Sequence, residues 1–354
     1  MMEKTGRAFL LLSCALVAAF ALDILLGAVV IPPKAIARIL LGMGPGQGEG
    51  GDFRAWQTIV LLIRLPKAIT ALLAGGALGL CGLSMQTLFR NPLADPFVLG
   101  ISSGASLGVA LVVLAVGASS GAALLAGLGV TGQLAIVVAA GAGAAGVLLL
   151  VLVYAQRVPS VMTLLVLGLF FGYAVSAVVS ILLEWSAADR VQAYIAWTFG
   201  SFQTVTWQQM PVFGIAVAVG IAASHLTGKQ LNALLLGEGY AKSMGMRVGA
   251  VRTLLLANTA LLAGTVTAFC GPIAFVGVAI PHLARSLLST SNHRTLLPAV
   301  ALLGATTTLT ADVVSQLPGS ENVLPLNAVT ALIGVPVVVW VIMRRRNLKE
   351  TFAG

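Results

Sequence analysis

The chain has 354 residues, of which 58% are hydrophobic and only 9% are charged, and its formal net charge is +9. Soluble domains carry about 25% charged residues, so this composition excludes an ordinary soluble enzyme and indicates a membrane protein. In such an apolar chain the basic excess fits loops that face the cytoplasm better than a nucleic-acid surface, and we expect no nucleic-acid partner.

Apolar runs recur along the whole chain and predict an all-α, polytopic membrane protein, because about 20 apolar residues cross a bilayer as a helix. We expect about ten transmembrane helices in a single domain that covers residues 1–354. The predicted spans are residues 8–30, 68–88, 98–116, 133–153, 161–183, 209–225, 253–270, 273–287, 296–315 and 325–343. With the N-terminus inside, 14 of the 20 basic residues fall on inner segments and 6 on outer segments, which predicts that both termini are cytoplasmic.

The first apolar run, Ala8 to Val30, follows Lys4 and Arg7. It has the order of a cleaved signal peptide, but its 23 residues favour a first spanning helix. Asp23 lies near the far end of this run, where it is either an interfacial carboxylate or a residue that faces the bundle interior.

Residues 31–67 are predicted to form a long outer connection. Its glycine-rich part, 42–51, is a flexible loop rather than a phosphate site, since neither a strand before it nor a helix-opening pattern after it is evident. The stretch Ile31 to Arg38 has the composition of a short interfacial helix. Arg64 and Lys67 place two basic residues at the end of the connection.

The segment from Arg90 to Gly104 contains Pro92 and Pro96, which stop the second span and delay the third. Gly100, Gly104 and Gly108 follow at four-residue spacing and give a flat helix face for close packing. From the residues alone this is either a plain inner loop with a packing stripe or part of a mechanism.

Residues 226–252 form the longest inner loop. Gly237 and Gly245 bracket a short predicted helix, Glu238 to Met244, in which Glu238 and Lys242 are spaced as an i,i+4 pair. Several apolar residues stand in this otherwise polar loop and need a partner surface. That surface is either lipid or a cytoplasmic subunit.

The segment from Gly271 to Arg285 is opened by Gly-Pro, interrupted by Pro281 and closed by His282 and Arg285. As a helix it would measure roughly 22 Å, too short for a hydrocarbon core of about 30 Å, so it needs protein or water around it. Asp312, near the outer end of the ninth span, either lines a water-filled cavity or caps the boundary.

Catalytic and metal-binding patterns are missing from the sequence. The three cysteines lie in apolar runs and read as packing residues, and the three histidines fall at inner helix ends, where they satisfy helix termini more often than they bind metal. We therefore expect a protein that is not an enzyme and that binds no metal or cofactor itself.

Four blocks in order resemble the FecCD-type permease family for iron siderophores, haem and cobalamin, the membrane subunits of type II ABC importers. The blocks are Arg64-Leu-Pro-Lys67, Arg90 to Ala105, Leu236 to Gly245, and Gly271 to Arg285. The resemblance implies an inner-membrane homodimer that imports an iron chelate or cobalamin. It also implies separate ATPase subunits, which use ATP and Mg, and a periplasmic or lipid-anchored substrate-binding protein.

The resemblance also assigns roles to residues of this chain. The ATPase-coupling residues would be Leu236, Gly237, Glu238, Tyr240, Ala241, Met244, Gly245 and Met246. Arg64 and Lys67 would be the outer pair that docks the binding protein, where the family usually has Arg in place of Lys67. The inner gate would include Asn91, Pro92, Leu93, Ser160, Val161 and Met162.

Two further points bear on this interpretation. An outer arginine that the family usually carries at the end of the ninth span is replaced by Gln316. The alternative function is an ion-gradient-driven secondary transporter, for which Asp23, Glu184 and Asp312 are the candidate ion-coupling residues. The sequence shows no clear internal repeat of the kind such transporters carry.

Overall fold

The computed structural model describes residues 2–46, 52–115, 133–157, 161–317 and 323–344, and this part of the chain contains helices and loops but no strand. The helices are α1 Met2–Leu25, α2 Pro33–Leu40, α3 Phe53–Leu88, α4 Ile101–Ala110, α5 Gln133–Arg157, α6 Val161–Glu184, α7 Ala188–Thr198, α8 Met210–Leu226, α9 Gly228–Leu235, α10 Glu238–Ser243, α11 Val248–Cys270, α12 Val276–Leu288, α13 His293–Ser315 and α14 Leu326–Arg344.

Each of the ten predicted spans coincides with an apolar helix, and the prediction of an all-α, polytopic membrane protein is confirmed. Within the described ranges, 6 helices are long and apolar enough to cross a membrane. Helices α8 and α9 meet at 50° and make a seventh span if they are taken together. The remaining predicted spans are the shorter apolar helices that include α4, α12 and α14.

Helix α3 is the centre of the bundle, with 83% of its apolar window buried inside the chain. It packs against α8, α11, α12 and α13. Glycines allow the closest of these contacts: a Cβ on Gly75 would lie 2.3 Å from the carbonyl oxygen of Gly304 in α13. A Cβ on Gly82 would lie 1.7 Å from the carbonyl oxygen of Gly277 in α12. Any side chain at these positions would push the helices apart.

The predicted flat glycine face of α4 is confirmed for Gly104 and Gly108. A Cβ on Gly104 would lie 2.5 Å from the carbonyl oxygen of Gly143, and one on Gly108 would lie 2.0 Å from that of Ala139, both in α5. Gly100 has a different role, because it precedes the helix with φ of +76°, a conformation that glycine adopts without strain. Helices α4 and α5 therefore pack backbone to backbone.

The predicted outer connection 31–67 is wrong in its second half, because α3 already begins at Phe53. The first turns of α3 include a π-helical segment, Ile59–Arg64. In a π-helix the carbonyl of each residue accepts from the N–H five residues later. The Leu61 carbonyl would therefore accept from residue 66, but Pro66 has no N–H. The indole Nε1 of Trp207 donates to this carbonyl instead, at 2.7 Å. The helix thus passes through a proline that the sequence suggested would lie outside it.

Other boundaries shift without changing the architecture. Helix α1 covers Met2–Leu25 rather than 8–30, and the predicted interfacial helix is α2, which buries Ala35, Ile36 and Ile39. The loop at 226–252 contains two helices, α9 and α10.

Helix α12 runs through Pro281 instead of stopping there. The carbonyl of Gly277, which Pro281 cannot bond, lies against the backbone of Gly82 in α3. Most of α12 is buried among other helices, including His282 and Arg285, so the predicted enclosure of this short segment by protein is confirmed.

Candidate functional site

The two ends of the bundle carry the polar groups that sequence analysis singled out. At one end Lys67 of α3 is buried between two carboxylates. Its Nζ lies 3.1 Å from Asp23 Oδ1 of α1 and 2.6 Å from Asp312 Oδ2 of α13. Lys67 is 1% exposed and Asp23 is 0% exposed. Because a buried charge is stable only when it is paired, this contact ties three helices together.

Two further side chains complete this polar cluster. Gln316 Nε2 donates to Asp312 Oδ2 at 2.6 Å and to Asp23 Oδ1 at 3.4 Å. Arg64 turns back toward the end of α1, where its guanidinium donates to the carbonyl oxygens of Ile24, Leu25 and Val29. The residue that replaces the family's arginine, Gln316, therefore serves as a neutral donor inside the protein.

Arg64 and Lys67 were expected to be exposed to a binding protein, but both side chains are buried and bond to groups of this chain. Their role in docking stays a prediction. The sequence could not reveal this burial because the acidic partners are remote: Asp23 and Asp312 lie in the first and ninth predicted spans. Both acidic residues face the interior, and Asp312 also lines a cavity of about 260 Å³.

At the other end of the bundle, loop 226–252 presents an apolar surface. Leu236, Tyr240 and Met244 are 59%, 51% and 53% exposed, whereas Ala241 is buried beneath them. Met246 is partly buried against the core. The exposed side chains are large and apolar, so they fit the expected partner surface.

Helix α10 is held in place by its flanking residues. Gly237 precedes it with φ of +109° and ψ of 152°, a region that is essentially restricted to glycine. Gly245 follows it with φ of +81°. Glu238 Oε1 accepts a hydrogen bond from Arg252 Nη2 of α11 at 2.9 Å. The predicted partner of Glu238 within the helix was Lys242, so this prediction is corrected: the bridge joins α10 to the next membrane helix.

The loop after α3 carries the first part of the predicted gate and touches loop 226–252. Arg90 has a positive φ of 48°, and its Nη2 donates to the carbonyl oxygen of Leu235 at 3.2 Å. The carbonyl oxygen of Pro92 lies 2.7 Å from His282 Nε2 of α12. Asn91 Oδ1 accepts from the backbone N–H of Leu93, whose side chain is exposed. The gate loop is thus braced against both α9 and α12.

The remaining gate residues are less connected. Ser160 lies outside the described residues, Val161 begins α6, and the Met162 side chain is exposed. In the gate loop Asp95 Oδ1 accepts from the N–H of Phe97 at 2.9 Å and caps the turn that follows. Burial raises the pKa of Asp95 to about 6, so this cap protonates in mildly acidic solution.

Sequence analysis missed a group of polar contacts beneath loop 226–252. His293, the first residue of α13, joins Asn232 of α9 to Thr87 of α3. Arg285 of α12 donates to Gln86 Oε1 of α3 at 2.6 Å. His225 alone behaves as predicted for a histidine at a helix end, since its ring lies against a carbonyl of its own last turn. The local signal in the sequence for these contacts was weak: two adjacent polar residues, Gln86 and Thr87, near the end of an apolar helix.

Within the described part of the chain, no group of three or more His, Cys, Asp or Glu side chains could hold a metal ion. The arrangement instead offers two polar end regions joined by long packed helices. One end presents exposed apolar side chains on a braced loop, and the other holds a buried ionic cluster.

Comparisons with known proteins agree with this architecture. The chain matches the FecCD transport family over residues 15–344. It is 36% identical over 297 residues to the vitamin B12 import system permease protein BtuC of Klebsiella pneumoniae subsp. pneumoniae, with 84% of each chain covered. The protein of the same name from Salmonella typhimurium is 37% identical over 298 residues, with 83% of this chain and 85% of that one covered.

One solved structure has the same fold. It shows an ABC transporter assigned to the metal-chelate type in an inward-facing conformation. It matches with a TM-score of 0.80 and 27% sequence identity, and the match covers 96% of this chain and 99% of that chain.

Proposed function

The chain belongs to the FecCD transport family and is a multi-pass permease subunit of an ABC importer, and we propose that its cargo is a metal chelate. The candidates are cobalamin, haem and a ferric siderophore. Cobalamin is favoured by the relatives named for vitamin B12 import, and metal chelates more broadly by the structural match to a metal-chelate type transporter. ATP and Mg would be bound by a partner subunit, and this chain would pair with a second copy of itself.

The main support for the proposal is the structure of loop 226–252. Leu236, Tyr240 and Met244 are exposed on α10 and on the residues beside it, and Glu238 connects α10 to α11. A cytoplasmic ATPase that bound these side chains would move α10 as it closed on ATP. Arg90 would pass that movement to the gate loop through its bond to the Leu235 carbonyl.

At the opposite end a substrate-binding protein would deliver the chelate. Arg64 and Lys67 would support the docking surface from beneath, because they hold the ends of α1, α3 and α13 together. Direct contacts would then come from other residues at this end. The cluster fits a structural role better than ion coupling, because each carboxylate already has Lys67 or Gln316 as a partner.

The deciding experiment is uptake by vesicles that contain this chain, its ATPase and its binding protein. Labelled cobalamin, haem and ferric siderophore are offered in parallel, with and without ATP. We expect uptake of one cargo, only with ATP. Uptake driven by a proton or sodium gradient without ATP would overturn the proposal in favour of a secondary transporter.

Coupling is tested in the same vesicles by Gly237→Ala. A Cβ at this φ strains the backbone by about 1–3 kcal/mol, so α10 should tilt and uptake per ATP hydrolysed should fall severalfold. The matched control is Gly249→Ala in the first turn of α11, where an added Cβ meets nothing within 4 Å. Equal coupling in the two variants would show that the placement of α10 is unimportant.

A further inference from the structure

A buried histidine lies where loop 226–252 meets the membrane helices. His293 is 0% exposed and is the first residue of α13. Its ring lies between α9, which belongs to the loop, and the last turn of α3, from which the gate loop emerges. On the α9 side Nδ1 is 2.9 Å from Asn232 Oδ1, and on the α3 side Nε2 is 2.9 Å from Thr87 Oγ1.

The hydrogen positions follow from the partners. The backbone N–H of His293 lies 2.8 Å from the same Asn232 Oδ1, and a backbone N–H can only donate, so this Asn232 atom is the carbonyl oxygen. The ring Nδ1 therefore carries a hydrogen and donates to it. In a neutral ring Nε2 is then an acceptor for the Thr87 hydroxyl. That hydroxyl has one hydrogen and two acceptors within reach, Nε2 at 2.9 Å and the Leu83 carbonyl oxygen at 2.8 Å.

The contact is anchored on each side. Asn232 Nδ2 donates to Asn292 Oδ1, which also caps α13 by accepting from the N–H of Arg294. The apolar face of α9 is buried beside it through Leu231 and Leu234. On the other side, Thr87 lies four residues before Asn91 of the gate loop, and the N–H of Asn91 bonds to the carbonyl of Gln86. The imidazole ring therefore connects α9 to the last turn of α3, from which the gate loop emerges.

We infer that His293 is a positioning residue that couples the ATPase-facing loop to the gate, through Asn232 on one side and Thr87 on the other. The inference rests on the proposed function, because it assumes that ATP in a partner subunit drives the loop. Arg90 provides a second link, but it is a single longer hydrogen bond at an exposed position. The buried link through His293 should dominate, since buried hydrogen bonds are costly to break.

The test compares two threonines of the same helix. Thr70 and Thr87 are both buried in α3, and each hydroxyl lies 2.8 Å from the carbonyl oxygen four residues earlier. Among the described contacts only the Thr87 hydroxyl also reaches another helix. Thr87→Val removes this link without changing the shape of the side chain, Thr70→Val is the matched control, and Thr87→Ser restores the hydroxyl.

The measurement is cargo uptake per ATP hydrolysed by the complete complex in vesicles. We expect a fall of about tenfold for Thr87→Val, which corresponds to the loss of one buried hydrogen bond, and near-normal ratios for Thr70→Val and Thr87→Ser. His293→Phe should give the same fall, and its combination with Thr87→Val should add nothing further, since both remove one link.

The possible results of this experiment distinguish the role of His293 from the proposed function. Normal coupling in Thr87→Val, in a complex whose unmodified form shows ATP-driven uptake, would overturn the role of His293 and leave the proposed function intact. Equal losses in Thr87→Val and Thr70→Val would also overturn it, because a general packing defect would explain both. Absence of ATP-driven uptake in the unmodified complex would overturn the proposed function, and this inference with it.

Discussion

Lys67 illustrates how the position of one residue in the fold decides its role. Near the outer end of a span, a lysine is normally expected to reach water. In this chain the side chain instead meets Asp23 and Asp312 from two other helices, and the ammonium group is enclosed. The ionic cluster gains little over an apolar core of the same shape, but removing one member leaves the others uncompensated.

We therefore expect Lys67→Met to lower the free energy of unfolding by about 3–5 kcal/mol, because two buried carboxylates lose their cation. The measurement is the thermal unfolding midpoint of the purified protein. Lys34→Met, at an exposed site on α2, is the control and should change little.

Adding Asp23→Asn and Asp312→Asn to Lys67→Met should recover most of the loss, since the neutral amides cost less to bury than carboxylates. Equal midpoints for the Lys67 and Lys34 variants would mean that the cluster does not stabilise the fold.

At the scale of elements, α3 organises the bundle because its small residues allow neighbouring backbones to approach. The stripe of Gly75, Gly79 and Gly82 is visible in the sequence, and close packing was expected from the glycine content. The partners were not visible, because Gly277 and Gly304 lie about 200 residues away along the chain.

Gly82→Ala tests this contact. The new Cβ would lie 1.7 Å from the Gly277 carbonyl oxygen, so α3 and α12 must separate, and we expect a loss of at least about 1–3 kcal/mol of stability. The control is Gly214→Ala in α8, where nothing lies within 4 Å and alanine should be neutral or slightly stabilising. Thermal unfolding compares the two; similar midpoints would contradict the observed packing.

At the scale of the whole molecule, we predict the orientation in the membrane from the charge bias. Of the 20 basic residues, 14 lie on segments predicted to be inner, which predicts that loop 226–252 is cytoplasmic and that the Asp23 end is outside.

Labelling with a membrane-impermeant maleimide checks the orientation. In a Cys14→Ser background, where Cys81 and Cys270 are buried, Leu41→Cys should react in intact cells. Leu236→Cys should react only in inside-out vesicles. Both positions are well exposed in the fold, so the two variants control for each other. The reverse pattern would place the termini outside.

The family blocks and the periodic apolar runs were enough to predict an all-helical permease with ten apolar segments, because bilayer thickness imposes length and composition on each span locally. The short helix at Glu238 and its flanking glycines were also predicted correctly. The start of α3 was not, since a π-helical turn and a remote indole were needed to carry a helix through Pro66.

The candidate site, like the fold, was predicted from the sequence only in part. Exposure of Leu236 and Met244 could be predicted, because apolar residues in a polar loop indicate a contact surface. The same reasoning covered Leu234, which is buried, and Tyr240 was assigned by the family resemblance alone. The burial of Arg64 and Lys67, and the link from Asn232 through His293 to Thr87, depended on tertiary structure alone. Composition and local pattern determine which segments enter the membrane. Only the packing of distant helices determines which polar groups meet there, because pairing energy depends on distance in space rather than along the chain.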